Sequence, residues 1–316
     1  LSTHSDIEHI ETDELWTLLG MVTQPQPPWG LNAISHRGLG DEDKGYTYDS
    51  SAGKGTYAYI IDSGIDAEHI EFENRATLGF NVFQSKPPID KMGHGTHVAG
   101  IIGSKTFGVA KRCNLIGVKV SHCFATYNSA ILKGVSWAVQ DILAKKRKHK
   151  SVINISMGGL KSTAFNRAVE AAVNAGVVTV VAAGNARMPV SWSSPGSAKG
   201  AIVVGATGKA YKRAWFSNYG KNVTLFAPGV HVPSTWIGGQ HDRNKTLSGT
   251  SAAAPHVAGI ALYLQAMCKI EDINALRATL VKLATAKVVS DAKGSPNLFA
   301  YNGGGSFCSM VIGDGT

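Results

Sequence analysis

Several things are scarce or missing in this sequence, and each absence narrows its reading. There are four cysteines in 316 residues and none sits in a Cys-x-x-Cys pair, so a thiolate zinc site is not expected. No uninterrupted apolar run reaches the ~20 residues that a membrane-spanning helix needs, so no membrane partner is expected. The zinc-protease pattern His-Glu-x-x-His is absent: in Gly93-His94-Gly95-Thr96-His97 the place after the first histidine is Gly95, and no metal is assigned to that pair. Glycine is frequent but without a triplet period, which excludes a collagen-like chain. Residues 1–19 have no Lys or Arg beside five acidic residues, so the net charge of +9 leaves +14 on the remainder. The densest basic run, Lys145-Lys146-Arg147-Lys148-His149-Lys150, has no interleaved aromatics and follows a helical pattern. That suits a solvated helix end better than a nucleic-acid site, and no nucleic-acid partner is expected.

The cysteines are Cys113, Cys123, Cys268 and Cys308. The first two flank an expected strand, Leu115 to Val120. At roughly 3.3 Å per residue the strand holds its ends apart, whereas a disulfide needs Cα atoms about 6 Å apart. A Cys113–Cys123 bridge is therefore not expected. A bridge from Cys268 to Cys308 and four free thiols both stay open.

What is present is a chain with 44% hydrophobic residues, enough for one large core. Near-continuous apolar runs at Thr56–Ile61, Leu115–Val120, Val152–Ile155, Val177–Ala182 and Ala201–Gly205 read as strands buried on both faces. Helical patterns lie near His94–Gly103, Ser129–Ala144, Phe165–Ala175, Ser251–Met267 and Ile270–Ala284. The alternation predicts an α/β fold, a parallel sheet with helices on both faces in three layers. Gly303-Gly304-Gly305 opens a Gly-rich C-terminal tail, 303–316.

Sites in such sheets form at the carboxyl ends of strands. Asp62, Ser156 and Asn185 each close an apolar run there. A carboxylate in that position is costly to bury without a partner, and a histidine would supply one. Two glycine-rich blocks follow: Gly93-His94-Gly95-Thr96-His97-Val98-Ala99-Gly100 and Ser248-Gly249-Thr250-Ser251-Ala252-Ala253-Ala254-Pro255. Ser251 opens a strongly apolar helix, whose free N–H groups and positive dipole end suit a forming oxyanion. Taken alone, Ser251 would read better as a helix N-cap.

Together, Asp62-Ser63-Gly64, His94-Gly95-Thr96-His97 and Gly249-Thr250-Ser251 with Pro255 resemble the three signature blocks of the subtilases, in the chain order Asp, His, Ser known for subtilisin. The resemblance runs from about Trp29 to Asn302 and is nearest to fungal alkaline proteases of the oryzin and proteinase K type. It implies a subtilisin-like fold and a secreted serine endopeptidase working through an acyl-enzyme. Ser251 resembles the nucleophile, His94 the general base and Asp62 the group that orients it; Asn185 resembles the side-chain donor of the oxyanion hole. Ser156, Met157 and Gly158, with Gly159, resemble one wall of the substrate cleft. Ala182, Ala183 and Gly184 resemble the other, and Thr126-Tyr127 the strand on the far side of the substrate. Such walls imply strand addition of broad specificity with a large apolar residue before the cut. His97 and His256 look structural.

The resemblance further implies that residues 1–19 are the end of a propeptide that inhibits and assists folding. Self-cleavage is expected between Leu19 and Gly20, with residues 20–302 as the catalytic domain and protein or peptide substrates acted on by a monomer. Three departures stand out. Ala252 and Ala254 replace larger residues around the nucleophile. Thr224 stands where proteinase K-like enzymes have a calcium-binding Asp, so calcium stays open but with that site expected to be weak or absent, and no other cofactor is expected. Arg187-Met188-Pro189 forms an unusual loop after Asn185. A biosynthetic acyl transferase or cyclase with the same triad, and a non-catalytic binding protein, are the rival readings. Peptide hydrolysis separates both from an endopeptidase.

Overall fold

The structure, a computed structural model, describes residues 20–38, 44–122, 125–268, 270 and 272–305. Residues 1–19 and most of the C-terminal tail lie outside the described residues, as do Cys123 and Cys308. The core is a nine-stranded sheet. From one edge its strands are Thr285–Ala286, Leu298–Phe299, Leu225–Pro228, Ile202–Thr207, Val178–Ala182, Ser151–Ile155, Tyr57–Asp62, Asn114–Lys119 and Ala76–Asn81. Neighbours are parallel except for the first pair.

The central strands are buried along their length, because helices cover both faces. The helices are α1 (Trp29–Ser35), α2 (His94–Gly103), α3 (Asn128–Ala144), α4 (Thr163–Asn174), α5 (Thr250–Cys268) and α6 (Ile273–Leu283). Successive residues of one strand meet different layers, as the period of two requires. Leu115 packs under Gly103 of α2, while Ile116 lies beside Gly79, against which Trp137 of α3 is seated. α2 packs on α5, and α3 on α4. The expected three-layer α/β architecture is the one observed.

Four strands of the sheet were absent from the sequence expectation: the two-residue Thr285–Ala286 and Leu298–Phe299, and two longer ones. Ala76–Asn81 is an edge strand with half its residues exposed and an irregularity between Leu78 and Phe80, so it has no continuous apolar run. Leu225–Pro228 is four residues long and ends in proline. A hairpin of Val232–Thr235 and Asn244–Leu247 covers α2, where the Ser234 and Thr235 hydroxyls donate to His97 O at 2.7 Å and Thr96 O at 2.8 Å. Of the cysteines, Cys113 is a buried free thiol and Cys268 is disulfide-bonded, which removes the reading of four free thiols.

Candidate active site

Strand Tyr57–Asp62 has Asn114–Lys119 on one side and Ser151–Ile155 on the other. Chain order reverses at this place, which makes it the topological switch point of the sheet, where open α/β sheets form their crevice. A cleft of about 670 Å³ opens there, and Asp62, His94, Asn185 and Ser251 all line it.

Asp62 ends its strand and is 1% exposed. Its Oδ1 accepts from Ser63 N at 2.8 Å and pairs with His94 Nδ1 at 2.7 Å. Its Oδ2 is buried without a hydrogen-bond partner. His94 is the first residue of α2, and the approach depends on Gly95: a Cβ there would lie 2.1 Å from Gly64 O and 3.1 Å from Asp62 Cβ. Any larger residue would push the helix start away from the strand end. Burial of the His94 ring favours its neutral form. The Asp62 charge, the hydrogen bond to it and the Asp90 charge outweigh that, and the pKa is raised. The contact fixes the tautomer: with Nδ1 as donor to Asp62, Nε2 of the neutral ring is an acceptor turned to the cleft.

Ser251 sits in the first turn of α5. A Cβ placed on Gly249 would fall 2.8 Å from Ser251 Oγ and 3.3 Å from Asn185 Nδ2, so these two atoms converge on one point. The Asn185 amide is locked: its Oδ1 accepts from Thr250 N at 2.9 Å and Thr250 Oγ1 at 2.8 Å. Its Nδ2 is left for an acceptor in the cleft, the arrangement an oxyanion requires.

Ser156, Met157, Gly158, Ala182, Ala183, Gly184 and Thr126 also line the cleft. Tyr127 does not. Thr126 Oγ1 turns back to Val120 O at 2.5 Å, and Tyr127, extended and next along the chain, is 82% exposed on the outside, as alternation of side chains dictates. Sequence reasoning missed Met92, Leu160 and Asn218 in the lining. Asn218 organises the unusual loop: its Oδ1 accepts from Ala186 N and Met188 N, each at 3.1 Å, and its Nδ2 donates to Ala183 O at 2.8 Å. No local signal marks it, since its partners lie far back along the chain. Ala252 and Ala254 are fully buried, and Ile101, Val232 and Trp29 close the space around Ala252.

His97 and His256 stand outside the cleft lining and are buried. His97 Nε2 lies 3.1 Å from both Val232 O and Lys245 O, and His256 Nδ1 lies 2.8 Å from Ala252 O. Thr224 immediately precedes strand Leu225–Pro228, its hydroxyl accepting from Val203 N at 3.1 Å. Among the described residues no group of three or more His, Cys, Asp or Glu could hold a metal ion.

A family model described as the subtilase family matches residues 53–303. The "Alkaline protease 1" of Aspergillus clavatus is 51% identical over 298 residues, 94% of this chain and 73% of that protein. The "Subtilisin-like proteinase Mp1" of Magnaporthiopsis poae is 48% identical over 305 residues, 94% of this chain and 75% of that protein. Among solved structures, a cold-adapted subtilisin-like serine proteinase superposes with a TM-score of 0.79 at 37% identity, covering 87% of this chain and 98% of that one.

Proposed function

The chain belongs to the subtilase family of serine endopeptidases, and from that premise we propose that Ser251, His94, Asp62 and Asn185 carry its reaction. Ser251 Oγ attacks the peptide carbonyl while His94 Nε2 takes its proton. Asp62 holds the imidazole in the required tautomer and stabilises the imidazolium. Charge developing on the carbonyl oxygen is met by Asn185 Nδ2 and by the N–H groups at the start of α5. His94 then protonates the leaving amine, and water releases the acyl group by the same steps in reverse. One observation carries this reading: the 2.7 Å Asp62–His94 contact opens on the same cleft where Ser251 Oγ and Asn185 Nδ2 converge. No step draws on a metal ion or other cofactor.

Substrate binds extended along Ser156–Gly158 on one side and Thr126 on the other. Asp62 and His94 are the only titratable groups among the described residues lining the cleft. Its walls therefore offer no charge to pair with Lys, Arg, Asp or Glu, which supports a large apolar residue before the scissile bond. Residues 1–19 serve as the end of a propeptide cleaved after Leu19, and the enzyme is secreted and works as a monomer.

The test is hydrolysis of succinyl-Ala-Ala-Pro-Phe and -Leu chromogenic peptides, with -Lys and -Glu analogues, by the protein and its Ser251→Ala variant. Turnover of the apolar peptides that the variant and phenylmethylsulfonyl fluoride both abolish is expected. Equal turnover by Ser251→Ala would overturn the assignment, and faster cleavage after Lys or Glu would overturn the apolar pocket. Mass spectrometry of the processed N-terminus checks the cut before Gly20.

A further inference from the structure

Behind the Asp62–His94 pair lies a second buried carboxylate that the reaction above does not use. Asp90 is 6% exposed and stands just before α2. Its Oδ1 accepts from Ser63 Oγ at 2.9 Å, Met92 N at 2.9 Å and Gly93 N at 3.0 Å. Its Oδ2 accepts from Thr96 N at 3.0 Å and Thr96 Oγ1 at 2.7 Å. It therefore ties down the free N–H groups at the start of the helix that carries His94. Ser63 makes the second connection. Its hydroxyl, while donating to Asp90, accepts from Gly95 N at 2.9 Å, and its own N–H donates to Asp62 Oδ1 at 2.8 Å. Asp90 is thus one residue away from both members of the pair. Lys119, 1% exposed, closes the network from the end of strand Asn114–Lys119, its ammonium donating to Ser63 O at 2.5 Å and Ile89 O at 3.1 Å.

We propose that Asp90 is a positioning residue for the reaction. Through Ser63 and the first turn of α2 it holds His94 and Asp62 in register, and its charge, with Lys119 as counter-charge, sets the field in which His94 gains and loses its proton. The inference rests on the reading of His94 and Asp62 given above. A carboxylate serving only as a helix cap needs neither the Ser63 bridge nor a buried ammonium beside it. Capping is met by an exposed Asp, Ser or Asn, whereas burying two charges is expensive. The charged groups around this centre are Asp62 on its strand, Asp90 and Lys91 in the loop before α2, His97 on α2, Lys119 on the neighbouring strand, and Lys86 further back in the loop. Asp90 adds to Asp62 in favouring the protonated ring. Lys119 lies in the fields of both carboxylates.

The experiment compares kcat, KM and the acid limb of kcat/KM on an apolar chromogenic peptide for wild type, Asp90→Asn, Ser63→Ala and Ser251→Ala. Asp90→Asn is expected to lower kcat about tenfold or more with KM little changed, as small misplacements of reacting groups do, and to move the acid limb to lower pH. Ser63→Ala breaks the bridge but keeps the charge, so kcat falls while the limb stays. If Asp90→Asn does not fold, Ser63→Ala decides: a lower kcat at unchanged KM supports the proposal. Wild-type kcat in Ser63→Ala, or wild-type kcat and limb in Asp90→Asn, overturns it. Failure of the underlying reading would look different, because Ser251→Ala would then keep its activity.

Discussion

Ser156 donates its hydroxyl to the main-chain carbonyl of Ser251 at 3.1 Å. That carbonyl would ordinarily accept from the residue four positions on, but Pro255 lies there inside α5 and has no N–H. The side chain at the end of one strand thus completes the hydrogen bonding of the helix turn bearing Ser251. Asn154 Nδ2 in turn donates to Ser156 Oγ at 2.9 Å.

Ser156→Ala is accordingly expected to destabilise the protein by about 1–3 kcal/mol, the cost of leaving a buried acceptor unpaired. Pro255→Ala would restore the helical donor. In that background the cost of Ser156→Ala should shrink, giving a coupling of about 0.5–3 kcal/mol in a double-mutant cycle read by urea unfolding. Additive single effects would show that the hydroxyl does not stand in for the missing N–H.

The Thr250–Asn185 contacts lead to a second expectation. Because Thr250 N and Oγ1 both donate to Asn185 Oδ1, the amide nitrogen has one orientation. Asn185→Ala should lower kcat by about 10²–10³ with little change in KM, the usual result of removing an oxyanion donor. Asn185→Asp should do no better, since it keeps the acceptor toward Thr250 but offers no N–H to the oxyanion. Single-turnover kinetics on an ester and an amide substrate would check this, and an Asp variant near wild type would refute it.

Much of the cleft that brings Asp62, His94, Asn185 and Ser251 together was legible in the sequence, because these residues stand beside glycines and apolar runs. Asp62 stood out as a charge closing a buried strand, and His94 and Ser251 each opened a small-residue helix. The central strands were legible for the same reason: helices cover both faces, so their residues are apolar without alternation. The edge strand Ala76–Asn81 was not, since exposure on one side removes that pattern. Asp90, Ser63 and Lys119 could not be joined from sequence either. Their network depends on two strands and a loop meeting in space, and a lone buried lysine looks like any surface lysine until its carbonyl partners are seen. Tyr127 shows a different limit: adjacency to Thr126 in sequence does not say that both side chains line the cleft, and only Thr126 does.

Stability should depend on pH through His97 and His256, which burial lowers to about 4. For His97 the neighbouring His94 adds to the lowering and the Val232 and Lys245 carbonyls oppose it; for His256 the Ala252 carbonyl opposes it. In the unfolded chain both would titrate near 6.5. Between pH 6.5 and 4 the unfolded state then binds more protons than the folded one. Stability is full above 6.5 and falls as pH drops through that window, by about 3 kcal/mol per histidine at its lower end. Urea unfolding of Ser251→Ala, which avoids self-digestion, should show this decline. In a His256→Gln variant the slope between pH 6 and 5 should be shallower, and an unchanged slope would remove His256 as a cause.

The acid limb of activity should lie on the other side of the ordinary imidazole value. In the proposed reaction only neutral His94 can accept the Ser251 proton, and its pKa is raised above 6.5 because Asp62 and Asp90 outweigh burial of the ring. kcat/KM should therefore reach half its plateau above pH 6.5 and fall as pH drops, as the imidazolium accumulates. Asp62→Asn removes the nearer charge, which stabilises the imidazolium. It should cut kcat by about 10⁴ and move the residual limb to lower pH. Both are read from the pH dependence of chromogenic-peptide hydrolysis, using initial rates at pH values where the protein is shown to stay folded. A wild-type half-point at or below 6.5 would mean that burial, not the carboxylates, dominates at His94.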